Sequence, residues 1–360
     1  MPTKEQALAA LKTCIEPELD NDIVSLNMVR DLKVEEGKVS FNYVLTTPAC
    51  PMKNRMEIEA RTALEKVEGV TAVEINMTSD VRQDMRVMEK VQPGIRNLVT
   101  VGSGKGGVGK SSIASNLAVC LALEGAKVGL LDADVYGPNQ PQMFRLDGHL
   151  PTTGVDGMIE PAVRYGVKVF SMGFLMETDT AAIWRGPMLH SAIQQMLKDV
   201  RWGELDYLIV DLPPGTGDVQ LSLCQSAPVT GALLVTTPQS IALSDVRKAV
   251  FMFNKLKIPI LGVVENMSQF ICPHCNNGTR IFAHGGAREL FAQNKIPFLG
   301  EVPLDPRICE SSENGEPQVL AFPDSESSSV LRSIARQVAA QVSLQNFKRQ
   351  AVAAAAGQPG

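Results

Sequence analysis

Five short apolar runs, NLVTVGS, KVGLLDAD, LDYLIVDLPP, GALLVTTP and ILGVVENM, recur from Asn97 onward with helical stretches between them. A strand with one wet face alternates apolar and polar residues. Runs this continuous fit strands buried on both faces, the pattern of a parallel sheet covered by helices on either side. The expected fold is therefore α/β, a doubly wound, mostly parallel sheet, with the ligand site on loops at the strand C-termini.

The first run leads into such a loop. VGSGKGGVGKSS follows a strand and opens a helix, and it satisfies two fingerprints. Gly102, Gly104 and Gly107 match G-x-G-x-x-G, the dinucleotide pattern; Gly104, Gly109, Lys110 and Ser111 match G-x-x-x-x-G-K-S, the Walker A pattern. Chemistry separates the two. A lysine just before the helix puts full positive charge where a β,γ-phosphate sits, and the following serine offers a hydroxyl to Mg²⁺. A dinucleotide pyrophosphate needs neither, because helix N–H groups suffice. LDYLIVDLPPG ends an apolar strand in Asp211, placed to hold Mg²⁺ through water, and Gly215 offers an unhindered N–H to a γ-phosphate. The expectation is a P-loop NTPase that takes ATP and Mg²⁺ on Gly104, Gly106, Gly107, Gly109, Lys110, Ser111, Ser112, Asp211 and Gly215.

The rest of the chain divides by pattern. Residues 1–78 read as a small α+β domain: TKEQALAALKTC and PMKNRMEIEARTALEKV are helical, KVSFNYVLTT and VTAVEINMT are strands. Residues 79–96, charged and ending in Pro-Gly, read as a linker, and 97–345 as the P-loop ATPase domain, closed by the amphipathic SSSVLRSIARQVAAQVSL. Residues 346–360 read as a disordered tail. A net charge of −5 gives no reason to expect nucleic acid, and no run of eighteen apolar residues suggests a membrane partner. MPTKEQALAALKTCIEPELD lacks the pattern of an export signal, so the chain is expected to be cytoplasmic with its seven cysteines reduced.

KGGVGKS resembles the deviant Walker A loop of the MinD/ParA class, whose signature lysine is here Lys105. The resemblance implies a homodimer in which Lys105 reaches the partner's nucleotide and acts as an arginine finger would. DADVYGPNQP resembles the switch I of that class. It implies that Asp134 positions the attacking water and that Asp132 acts near Mg²⁺. ENM places Asn266 where the class reads the adenine edge.

Cys272 and Cys275 in ICPHCNNG form a C-x-x-C, with Pro273 stiffening the loop. Soft thiolates select iron–sulfur clusters, zinc or Cu(I), but two are too few for a closed site. A two-fold axis beside the loop would double two ligands to four. Three readings follow: a 4Fe–4S cluster bridging two chains, which is preferred; zinc, across the dimer or with His274 or His284; and a dithiol redox pair. Cys120 and Cys224 fall in helices expected to pack on the sheet as core thiols, while Cys14 and Cys309 carry no motif. Cys50, in TTPACPM, sits before a helix N-terminus, a position that lowers thiol pKa.

GPN, WRGPM, DLPPGTGD and the C-x-x-C after VVENMS together resemble the Mrp/ApbC family of ATP-dependent iron–sulfur cluster carriers, over most of residues 95–340. PELDNDIVSLNMVRDL and TTPACPM resemble the small iron–sulfur-assembly domain that precedes this ATPase in relatives, which implies a role for Cys50 in cluster transfer. The resulting expectation is a homodimeric ATPase that binds a 4Fe–4S cluster on Cys272 and Cys275 across the dimer. Its hydrolysis would be coupled to cluster loading or transfer, with iron–sulfur apoproteins and scaffold proteins as partners. The alternatives are a MinD/ParA-like positioning ATPase and a zinc-bridged regulatory dimer.

Overall fold

The computed structural model describes residues 1–92, 94–175, 186–272, 275, 277–282 and 286–355. The chain divides into two units, Met1–Arg82 together with the chain from Asn346, and Gln83–Gln345.

In the smaller unit, α1 (Lys4–Leu11) starts on a capping box: the Gln6 N–H donates to Thr3 Oγ1, and the Thr3 N–H donates to the Gln6 side chain. Strands β1 (Val29–Glu35) and β2 (Lys38–Leu45) form an antiparallel hairpin across Glu36 and Gly37. Both turn residues have positive φ, which suits the right-handed twist of the strands. Helix α2 (Lys53–Glu65) carries the chain to β3 (Ala72–Ser79), parallel to β2. Every second residue of β2 points inward, so Val39, Phe41, Tyr43 and Leu45 are buried with Ala7, Leu11, Met56, Ala60 and Leu64 of the helices.

The larger unit begins inside the segment expected as a linker. Asp84 caps α3 (Met85–Lys90) by accepting the Arg86 N–H, and Val87 and Ile95 are buried. Charge and a Pro-Gly pair concealed these two anchors. The chain continues through β4 (Leu98–Ser103), α4 (Lys110–Leu123), β5 (Val128–Asp132), α5 (Gln140–Met143), β6 (Ala162–Arg164) and β7 (Val167–Ser171). It goes on through α6 (Gly186–Lys198), β8 (Tyr207–Asp211), α7 (Asp218–Ser226), β9 (Gly231–Thr236), α8 (Ser240–Lys255), β10 (Ile260–Ile271) and β11 (Gly278–Thr279). The last elements are α9 (Gly286–Gln293), β12 (Phe298–Leu304), α10 (Pro306–Glu313), α11 (Gln318–Ala321) and α12 (Glu326–Ala355).

Among the described residues the sheet order is β6-β7-β5-β8-β4-β9-β10-β11, with β12 on β10. Only β6 and β11 pair antiparallel within it. Every residue of β4, β5, β8 and β9 is buried, which is why these strands read as unbroken apolar runs. From β4 the chain first winds through β5 and β7, returns as β8, then builds β9, β10 and β12 on the other side. The loop after β4 thus lies at the reversal of strand order, where doubly wound sheets bind ligands.

Helix α12 buries Leu331, Ile334, Ala335, Val338, Ala339 and Val342, one stripe at helical spacing. It continues to Ala355, where an unstructured tail from residue 346 was expected. Phe347 packs on the smaller unit's core beneath the Arg82 guanidinium, and Asn346 Nδ2 donates to the Arg82 carbonyl at 3.0 Å. These anchors, with the helix propensity of the alanine run, outweigh the polar composition. Residues 356–360 of that expected tail lie outside the described residues.

Candidate nucleotide site and thiol pair

The loop between β4 and α4 is pressed between neighbours. A Cβ on Gly104 would lie 2.3 Å from the Val246 nitrogen in the backbone of α8. Gly109 has φ +78°, and a Cβ there would lie 2.2 Å from Asn266 Nδ2. Glycine is required at both positions for these close approaches.

Lys110, at the first position of α4, is buried with three carboxylates. Its Nζ lies 2.5 Å from Asp211 Oδ1 and 3.6 Å from Asp134 Oδ2. The register sets Asp211 level with Asp132 on the next strand, and Asp132 level with Ser171 beyond it. Asp132 accepts hydrogen bonds from Ser171 Oγ at 2.9 Å, the Gln140 N–H at 3.2 Å and the Asp134 N–H at 3.1 Å. Burial, then the charge of Asp211, pushes the Asp132 carboxyl up to about 7. Burial also raises Asp134, against the pull of Lys110. For Lys110 burial acts downward, but Asp211, Asp134 and Asp132 outweigh it and hold the ammonium above its usual range.

Two adjoining cavities flank the loop. One of about 220 Å³ is lined by Lys105, Gly106, Gly107, Lys110, Ser111 and Asp134 among others, and has the size and charge for phosphates. The second, about 380 Å³, is lined by Ser112, Asn266, Met267, Leu304 and Ile308 among others and suits a flat, apolar base. Both include Gly109 and Asn139, so a nucleotide can span them. The oxygen donors on offer, Asp211, Asp132 and the Ser111 hydroxyl, are hard ligands that fit Mg²⁺.

Three expected contacts take a different form here. The Gly215 N–H donates to the Ser103 carbonyl at 3.0 Å and is not open to a phosphate in this arrangement. Asn266 Nδ2 donates to the Val108 carbonyl at 2.9 Å, so that half of the amide braces the loop. Lys105 Nζ donates to Gln239 Oε1 of its own chain at 3.0 Å.

Strand β10 runs past this site. Val235 of β9 pairs with both Ser103 and Val264, so β10 extends seven residues beyond the level of Ser103, on the loop side of the sheet. There it folds back on β11, with Ile271 opposite Gly278, and the Cys272 N–H donates to the Asn277 carbonyl at 3.1 Å. Cys272 is half-buried and Cys275 exposed at the mouth of this hairpin. Among the described residues no group of three or more His, Cys, Asp or Glu is placed to hold a metal ion. His274, His284, and Trp184 and Arg185 of WRGPM lie outside the described residues.

Cys50 departs from expectation. It precedes α2, and backbone N–H groups of Met52 and Lys53 do pull its pKa down, but burial dominates and, with Glu18 and Glu16 nearby, pushes the thiol up to about 11. Proximity to a helix start lowers a thiol pKa only where the thiolate stays solvated. Burial likewise pushes Cys120 and Cys224 up to about 12; Cys120 is a buried core thiol as expected, whereas Cys224 is only half-buried.

Gln140, Ser171 and Gln239 belong to the site yet were not singled out from the sequence. Gln140 stands inside DADVYGPNQP, but only the folded register reveals what its amide meets.

A parallel sheet wound about a Walker loop, with a buried lysine against strand-end carboxylates, defines a P-loop NTPase. Residues 94–339 match the family described as NUBPL iron-transfer P-loop NTPase, and residues 4–76 the family described as iron-sulfur cluster assembly protein. The chain is 49% identical over 340 residues to an iron-sulfur cluster carrier protein of Deinococcus radiodurans, covering 94% of this chain and 96% of that one. It is 44% identical over 349 residues to an iron-sulfur cluster carrier protein of Synechocystis, covering 96% and 99%. Among solved structures, a nucleotide-binding protein of Archaeoglobus fulgidus in complex with ADP matches with a TM-score of 0.57 and 40% identity, over 67% of this chain and 96% of that one. The chain belongs to the NUBPL family of iron-transfer P-loop NTPases.

Proposed function

We propose that the protein hydrolyses ATP and carries an iron–sulfur cluster, bound as cargo between Cys272 and Cys275 of two copies, for delivery to apoproteins. The observation that carries this reading is the course of β10: one strand braces the phosphate loop through Asn266 and ends at the thiol pair. Nucleotide state and cluster ligation then share a structural element.

In this reading an arriving triphosphate draws Lys110 from Asp211, and the loop N–H groups hold the phosphates. Mg²⁺, when bound, neutralises phosphate charge beside Ser111 and Asp211. Asp134, at the edge of the phosphate cavity, orients the attacking water, with Asp132 behind it. Lys105 leaves Gln239 and crosses to the partner's nucleotide. Asn266 keeps its oxygen for the adenine amine while its nitrogen holds the loop. Cys50, with its raised pKa, serves as a protonated thiol that engages a cluster only when an incoming iron displaces the proton.

Anaerobic reconstitution with iron and sulfide tests the proposal. A broad absorption band near about 400 nm, four irons per two chains, and loss of both in Cys272→Ser are expected. Colourless protein with stoichiometric zinc, retained through the same procedure, would overturn the cluster in favour of a zinc-bridged dimer.

A further inference from the structure

Gln140 is fully buried and has no part in the mechanism above. Its Nε2 donates to Asp211 Oδ2 at 2.9 Å and to the Ser111 carbonyl at 3.0 Å, and its backbone N–H donates to Asp132 Oδ2 at 3.2 Å. Both partners of the amide are acceptors, so the NH₂ group must face them and Oε1 must face away. Among the described residues that oxygen is buried with no hydrogen-bond partner. A buried orphan acceptor marks a place where a donor arrives with a ligand or with ordered water.

Asp211 divides its oxygens between two donors. Oδ1 takes Lys110, and Oδ2 takes Gln140. Once Lys110 turns to a phosphate, the amide still holds Oδ2. Without it the carboxylate could turn about χ2, a soft torsion for aspartate. The Gln140 N–H also holds Asp132, so one residue joins the segment from Asp132 to Gln140 with the carboxylate of β8.

We propose that Gln140 is a positioning residue for the metal-holding carboxylate: its amide fixes Asp211 Oδ2 to the main chain of Ser111 and leaves Oδ1 presented to Mg²⁺. The inference rests on the ATP reading above. It predicts that Gln140 matters to nucleotide binding only when the metal is present.

Calorimetric titration of the full chain with ATP, once with Mg²⁺ and once with EDTA, provides the test. In the wild type, Mg²⁺ tightens ATP binding. Gln140→Met keeps the bulk and removes the donor; it should lose about tenfold of that tightening, as for one hydrogen bond to a charged group, with affinity in EDTA unchanged. An equal loss in both conditions would mean that Gln140 serves only the fold of the loop and would overturn the proposal. So would Mg²⁺ tightening that survives intact in the variant. If Gln140→Met fails to fold, Gln140→Ala is read against the same two outcomes. A wild-type chain that binds no ATP in either condition would sink the nucleotide reading itself, and this inference with it.

Discussion

Lys110 Nζ and Asp211 Oδ1 meet at 2.5 Å, where the lysine side chain is 6% exposed and the aspartate 0%. A buried pair of this kind is costly to break from one side, because the remaining charge stays in a poor solvent. Lys110→Ala removes the cation paired with Asp211 and Asp134 and should lower stability by about 3–5 kcal/mol. Adding Asp211→Asn should recover part of that loss. Urea denaturation of the two single variants and the double variant checks this, and strict additivity of the three values would contradict a coupled pair.

Lys105 predicts a complementation. Lys105→Ala and Asp134→Ala should each abolish ATP hydrolysis alone. If Lys105 acts across a dimer, one site of each mixed dimer is intact, so an equimolar mixture should regain about a quarter of wild-type activity. A mixture as inactive as its parents would assign Lys105 to its own chain's site.

Glu18 in the smaller unit is raised to about 7 by burial and by the charge of Glu16. A carboxyl whose folded pKa is raised binds its proton more tightly when folded. The stability it contributes is therefore present below its unfolded value and is lost as pH rises toward 7. Stability measured by urea at successive pH values from 4.5 to 7 — roughly the window between the two values — should fall more steeply in wild type than in Glu18→Gln. Identical slopes would show that Glu18 is not the group responsible.

Cys50, raised to about 11, should be among the slow thiols. With iodoacetamide at neutral pH, mass spectrometry should find exposed Cys275 labelled well before Cys50, because the thiolate is the reactive form. Comparable rates would mean that the buried setting of Cys50 opens readily.

What was legible in the sequence follows from where its constraints lie. Strands β4, β5, β8 and β9 are buried along their whole length, so their composition alone betrays them. Strand β7 does not: Lys168 interrupts it, its Nζ reaching the Trp202 carbonyl, and β12 is broken by Gly300 and Glu301. The phosphate loop was legible because its chemistry is contiguous. Gln140, Ser171 and Gln239 gain their partners from strand register and helix packing across separations of up to 134 residues. Cys50 shows the opposite failure: a local rule about helix starts was visible, while the burial that overrides it comes from distant elements.

The course of β10 has a consequence for how its two ends can communicate. Between Asn266 and Ile271 the strand is pinned to β12 at two points, Asn266 opposite Val302 and Phe270 opposite Leu304. Four residues of β10 advance there against two of β12, a bulge that begins at Met267, where φ is +57°. A tether of loop would let its two ends move independently. In the proposed reading, a strand pinned on both sides of a bulge hands displacement at the phosphate loop to the thiols as a change in the bend at Met267.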